Sequence, residues 1–131
     1  MKQKMQEKHL FEYAIIRVVP RVEREEFLNV GVILYCADHN FLKTVFDINE
    51  ERLSLFSTAL DADQLKSRLQ VFAQICSGGP EGGAIAALPL ASRFRWLAAT
   101  RSTILQTSPV HPGLCIDPQE TLDRIYEELV K

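Results

Sequence analysis

The sequence predicts an α+β domain in which a small antiparallel sheet packs against helices. Three observations predict it. Two β-branched, apolar runs, Leu10 to Val19 and Phe27 to Cys36, lie close together ahead of a turn signal. Asp61 and Asp117 each open a stretch with apolar residues at helical spacing. The chain has 131 residues, 47% hydrophobic and 24% charged, enough for one core without disulfides or a structural metal.

Residues 1–9 are polar with no apolar block behind them, so they read as a flexible lead-in and not a secretory signal. A single domain is expected over 10–131. Leu10 to Val19 is a first strand ended by Pro20, and Arg21 to Glu25 a charged connection. Phe27 to Cys36 is the strongest strand. Its alternation places Leu28, Val30, Val32, Leu34 and Cys36 on one face and Phe27, Asn29, Gly31, Ile33 and Tyr35 on the other. Asp38-His39-Asn40 signals a turn into a third strand, Phe41 to Ile48. With Ala37 and Phe41 flanking that turn, Leu34 faces Thr44, Val32 faces Phe46 and Gly31 faces Asp47. The connection after Pro20 sets Arg17 opposite Asn29, so Arg17, Asn29 and Asp47 surround a glycine that leaves room.

Asn49 is an N-cap for a short helix, and Asp61-x-x-Gln64 opens a longer one with Leu65, Leu69, Phe72 and Cys76 on one stripe. This stripe is expected to cover Leu28, Val30, Val32 and Leu34. Ser77 to Gly83 is a glycine-rich loop, Ala91 to Ala99 a helix, and Ser102 to Thr107 a short strand. Ser108 to Gly113, with two prolines, reads as a rigid loop. Asp117-Pro118 caps the last helix, with Leu122, Ile125 and Leu129 inward. The sheet is thus a three-strand meander plus one short later strand.

Three cysteines, Cys36, Cys76 and Cys115, lie far apart among apolar neighbours, as reduced thiols of a cytoplasmic protein do. No CxxC or HxxxH spacing points to zinc, the glycine-rich loop lacks a P-loop lysine, and no cofactor is implied. No stretch is long and apolar enough for a membrane span. The net charge of −2 argues against bulk nucleic-acid binding.

The charge distribution is more informative. Gly82 to Ile116 carries no Asp or Glu, yet holds Arg93, Arg95 and Arg101. Guanidinium forks suit bidentate capture of phosphate or carboxylate. Two of these arginines are expected to converge near Ser102 and His111, whose loop would hold an imidazole able to act as acid or base. The same arginines could instead be solvated or paired with Glu23, Glu25 or Glu26, and Arg17, Asn29 and Asp47 could be a satisfied polar network.

The segments Tyr13 to Arg21, Glu26 to Val32, Ser92 to Trp96 and Arg101-Ser102 through His111 resemble the DUF3037 family of bacterial proteins of unknown function. The resemblance covers the chain after the lead-in. It implies a bacterial, cytoplasmic protein and supplies no activity. Its polar positions map onto Arg17, Asn29, Arg95, Arg101, Ser102 and His111. Where the family pattern has a glycine before Glu26, this chain has Glu25, which loosens the first connection. Members of that family look to be often encoded beside HipA-like kinases, so the resemblance implies an accessory role beside such a kinase. The expected function is therefore a binding or accessory protein with an Arg-lined anion pocket for a phosphate-bearing small molecule or a protein partner. The alternative is a small enzyme on a phosphorylated or nucleotide substrate, with His111 as acid/base.

Overall fold

The computed structural model describes residues 7–19, 26–56, 61–102 and 104–131. In chain order these form strands β1 (His9–Val18), β2 (Leu28–Cys36) and β3 (Phe41–Phe46), then helices α1 (Glu50–Phe56), α2 (Ala62–Ser77), α3 (Gly83–Ala86) and α4 (Leu90–Ala98). Strands β4 (Leu105–Thr107) and β5 (His111–Cys115) and helix α5 (Pro118–Leu129) complete the order. The strands make one antiparallel sheet ordered β3-β2-β1-β4, with β5 also paired to β1. The long β1 is its spine, with β2 on one edge and β5 and β4 sharing the other.

Both sheet faces are covered. Ile16, Val18, Ile33 and Leu105 pack beneath α2 and α4, against Leu65, Leu69, Phe72, Phe94 and Leu97. Phe11, Ile15, Val32, Leu34 and Cys36 pack beneath α5, against Leu122, Ile125, Tyr126 and Val130. The reason lies in β1 and β2, which are apolar at consecutive positions and therefore need cover on both sides. This corrects the expected packing: α2 lies over the Ile33 face, and Val32 and Leu34 lie under α5. Leu129 is 43% exposed, and Tyr126 and Val130 take the inward places near the end of α5.

Two register features differ from the sequence expectation. Cys36 pairs with Phe41, so Val32 faces Val45 and Gly31 faces Phe46, one residue off the expected hairpin. The cause is a four-residue connection, a 3-10 turn over Ala37–His39 followed by Asn40 in the left-handed region at φ 50°. In addition, Ile16 faces Gly31 whereas Arg17 faces Asn29, so Val30 is an extra residue in a β-bulge. The bulge breaks strict alternation and puts Val30 with Ile33 on the α2 side. The Arg17–Asn29 pairing holds as expected.

The helix caps follow the sequence. Asp61 accepts hydrogen bonds from the amides of Asp63 and Gln64, and Asp117 from those of Gln119 and Glu120. The glycine-rich segment is not one loop: Gly78 closes α2 at φ 77°, and a 3-10 turn leads directly into α3. The stretch expected as a proline-fixed loop contributes β5, which among the described residues pairs with β1 alone, an edge position where proline is tolerated. All three cysteines are free and buried. No helix among the described residues is long and apolar enough to cross a membrane. The expected connection Arg21 to Glu25, including Glu23, and most of the lead-in lie outside the described residues.

Candidate binding site

The arginines of the acid-free segment each have their own partners. Arg93 donates through Nε to the Leu88 carbonyl at 2.9 Å and through a terminal nitrogen to the carbonyls of Ile75 (3.0 Å) and Cys76 (2.9 Å). It thereby binds the C-terminal end of α2, where a helix leaves carbonyls unpaired and favours a cation. Arg95 forms a bidentate pair with Glu12 at 2.9 and 2.7 Å, and this partner above all raises its pKa. Arg101 donates to the carbonyls of Thr100 and Thr107 and to the Thr107 hydroxyl, tying together the hairpin that it begins. Ser102 closes the same hairpin, its Oγ accepting from the Leu105 amide at 2.8 Å and donating to the Leu105 carbonyl at 2.9 Å.

Strand alternation separates these groups from His111. His111 faces Tyr13 in the β1–β5 pair, and their rings lie 5.3 Å apart on the α5 side. Glu12, which holds Arg95, points to the α4 side, as does Thr107, which holds Arg101. The expected convergence of at least two of Arg93, Arg95 and Arg101 beside His111 is therefore not the arrangement found. An acid–base role that uses the arginines as charge stabilisers would need them on one face with the imidazole.

A different polar row does form on the α5 side, beyond the end of α5. Arg17 in β1 lies between its partners Asn29 in β2 and Gln106 in β4. The Arg17 guanidinium carbon sits 4.1 Å above the ring of Phe27, which is 47% exposed. Asn29 donates through Nδ2 to the Leu129 carbonyl at 3.0 Å, and Arg52 donates to the Val130 carbonyl at 3.0 Å, so both secure the end of α5. Asn29, Asp47, Asn49, Arg52, Tyr126 and Lys131 line one cleft of about 170 Å³. The Tyr126 phenol is pushed up, first by burial and then by the Asp47 carboxylate.

The row is unsaturated. Arg17 Nε and Asn29 Oδ1 are buried without a hydrogen-bond partner, a costly state for a donor and an acceptor. No carboxylate among the described residues pairs with Arg17. Thus Arg17, Asn29 and Asp47, expected together, do share one sheet face; Phe27, expected on the face of Asn29, lies under the Arg17 guanidinium, while Gln106 joins them unannounced. The space at Gly31 is not part of the site. A Cβ there would meet the Val45 carbonyl at 2.8 Å and the Phe46 Cβ at 2.9 Å, so the glycine permits close strand approach.

A family model described as a protein of unknown function, DUF3037, matches residues 13–130. No curated protein and no solved structure matches the chain.

Proposed function

The chain belongs to the DUF3037 family, and from that premise we propose that it is a binding or accessory protein that takes an anionic group on Arg17. One observation carries this reading: Arg17 is the sequence-selected arginine whose guanidinium makes no hydrogen bond to the described residues and rests on an exposed aromatic ring. A planar fork on a flat support is suited to bidentate carboxylate or phosphate. Arg93 and Arg101 spend donors on backbone carbonyls, and Arg95 on Glu12.

The anion can belong to a small molecule or to a protein partner, and the partner class implied by the family resemblance is a HipA-like kinase. Co-purification from the native host followed by mass spectrometry tests that partner. Thermal scans of the full chain with phosphate and with acetate test the site. A ligand that binds only the native state raises the melting temperature, by about 2.7 kcal/mol of stability at a hundred times its Kd. The rise should vanish in Arg17→Gln and persist in Arg101→Ala. A rise that survives Arg17→Gln would place the anion elsewhere, and no rise in the parent would sink the reading.

A further inference from the structure

We propose that the polar row recognises a zwitterion, with the ligand's anionic group on Arg17 and its ammonium group on Asp47. This rests on the reading of Arg17 as an anion site and names the class of ligand that the site takes. Asp47 follows Phe46, the β3 partner of Gly31, and its amide donates to the Val30 carbonyl at 3.0 Å. Val45 points to the α5 side, so Asp47, two residues on, points there too, into the cleft with Asn29 and Tyr126. The row therefore runs Gln106, Arg17, Asn29, Asp47 across β4, β1, β2 and the end of β3.

Its two opposite charges do not neutralise each other. Arg17 and Asp47 are two strands apart, roughly 10 Å between backbones at ~4.8 Å per strand. Asn29 stands between them, its amide group fixed on the Leu129 carbonyl. No ion pair within 4.0 Å joins Arg17 or Asp47 to any described residue. Two cations line the cleft with Asp47: Lys131 is paired with the Glu127 carboxylate at 3.3 Å, whereas Arg52 donates to the uncharged Val130 carbonyl at 3.0 Å and keeps its charge, with no ion pair to Asp47.

Charge selection follows from this spacing. A simple anion gains from Arg17 but is repelled by Asp47, and a simple cation meets the reverse. A ligand carrying both charges several ångströms apart gains both attractions. An ω-amino acid or the two ends of a short peptide has that form.

Calorimetric titration of the full chain at neutral pH separates the possibilities. The probes are butyrate and hexanoate against 4-aminobutyrate and 6-aminohexanoate. The amino acids should bind roughly twofold to fivefold tighter than the matching carboxylates, the gain of one solvent-screened charge pair. Asp47→Asn, a change at an exposed position, should erase that gain while leaving carboxylate binding equal or stronger. Arg17→Gln should abolish binding of all four; if that variant is unfolded, Arg17→Lys, which keeps the charge but loses the fork, should weaken all four. Carboxylates bound no more weakly than amino acids, or a gain that survives Asp47→Asn, would overturn the zwitterion and leave the anion site standing. Failure of all four probes to bind the parent would overturn both.

Discussion

At Cys76 the sulfur lies 3.0 Å from the Thr44 hydroxyl inside the larger core. Burial pushes this thiol up to about 11, against the opposing pull of the Thr44 hydrogen bond and the Arg93 charge. An unfolded cysteine ionises near pH 8.5, as roughly expected of a solvated thiol. The folded state thus holds its proton after the unfolded chain has released one. Stability from this group is complete below about pH 8.5 and is lost as pH rises through about 11. Urea unfolding across that window should show stability falling with pH, and Cys76→Ala should flatten the fall by one proton's share. An unchanged slope in the variant would contradict the buried, neutral thiol. That the cysteines are buried was legible from their apolar neighbours; the Thr44 contact was not, because it depends on α2 lying over β3. Gly31 shows a similar split. Its lack of a side chain was read as leaving room among Arg17, Asn29 and Asp47, but that space is taken by Val45 and Phe46. Gly31→Ala should cost about 1–3 kcal/mol by the same measurement, the usual range for overpacking.

Among the elements, those set by local chemistry were legible and those set by distant pairing were not. Asp61 and Asp117 cap their helices because side chain and amide are two or three residues apart. The β2–β3 register slipped by one because the sequence does not reveal that Ala37–His39 winds into a 3-10 turn. Strand β5 was hidden by Pro112 within it and Pro109 just before it; an edge strand accepts the former. The Arg17–Asn29 pairing was inferred from the connection after Pro20, whereas Gln106 reaches Arg17 from 89 residues away through β4. Arg93 illustrates what an element end demands. Its carbonyl contacts join α2 to the segment before α4, and a Cβ at Gly78 would lie 3.0 Å from its guanidinium. Arg93→Ala should therefore destabilise the protein by about 1–3 kcal/mol, the cost of leaving polar groups unpaired. It should leave the anion-dependent thermal shift intact. Arg17→Gln should do the opposite, and equal effects of the two changes on the shift would place Arg93 in the site after all.

On the scale of the whole molecule, a surplus of positive charge along the chain need not be a surplus in space. In the acid-free segment Gly82 to Ile116, Arg93 reaches the end of α2 and Arg95 reaches Glu12, 83 positions away, while Arg101 takes its acceptors within the segment, from Thr100 and Thr107. Folding thus consumes the feature that stood out in sequence, and leaves Arg17, outside that segment, with an open guanidinium. The same three-layer arrangement makes a further claim, since helices seal both faces of the sheet. Val32 and Ile33 are adjacent in β2, both fully buried, Val32 under α5 and Ile33 under α2 and α4. In a sheet with one wet face, an aspartate at one of the two positions would point to water and be tolerated. Here each places an unpaired charge in a core, at a cost of several kcal/mol against a total stability of about 5–15 kcal/mol. Val32→Asp and Ile33→Asp should therefore both abolish soluble expression. Val32→Ala and Ile33→Ala, milder cavity-forming changes expected to cost about 1–4 kcal/mol, give the graded measurement by urea midpoint. Destabilisation at one position and a normal midpoint at its neighbour would mean that one helical layer does not seal the sheet.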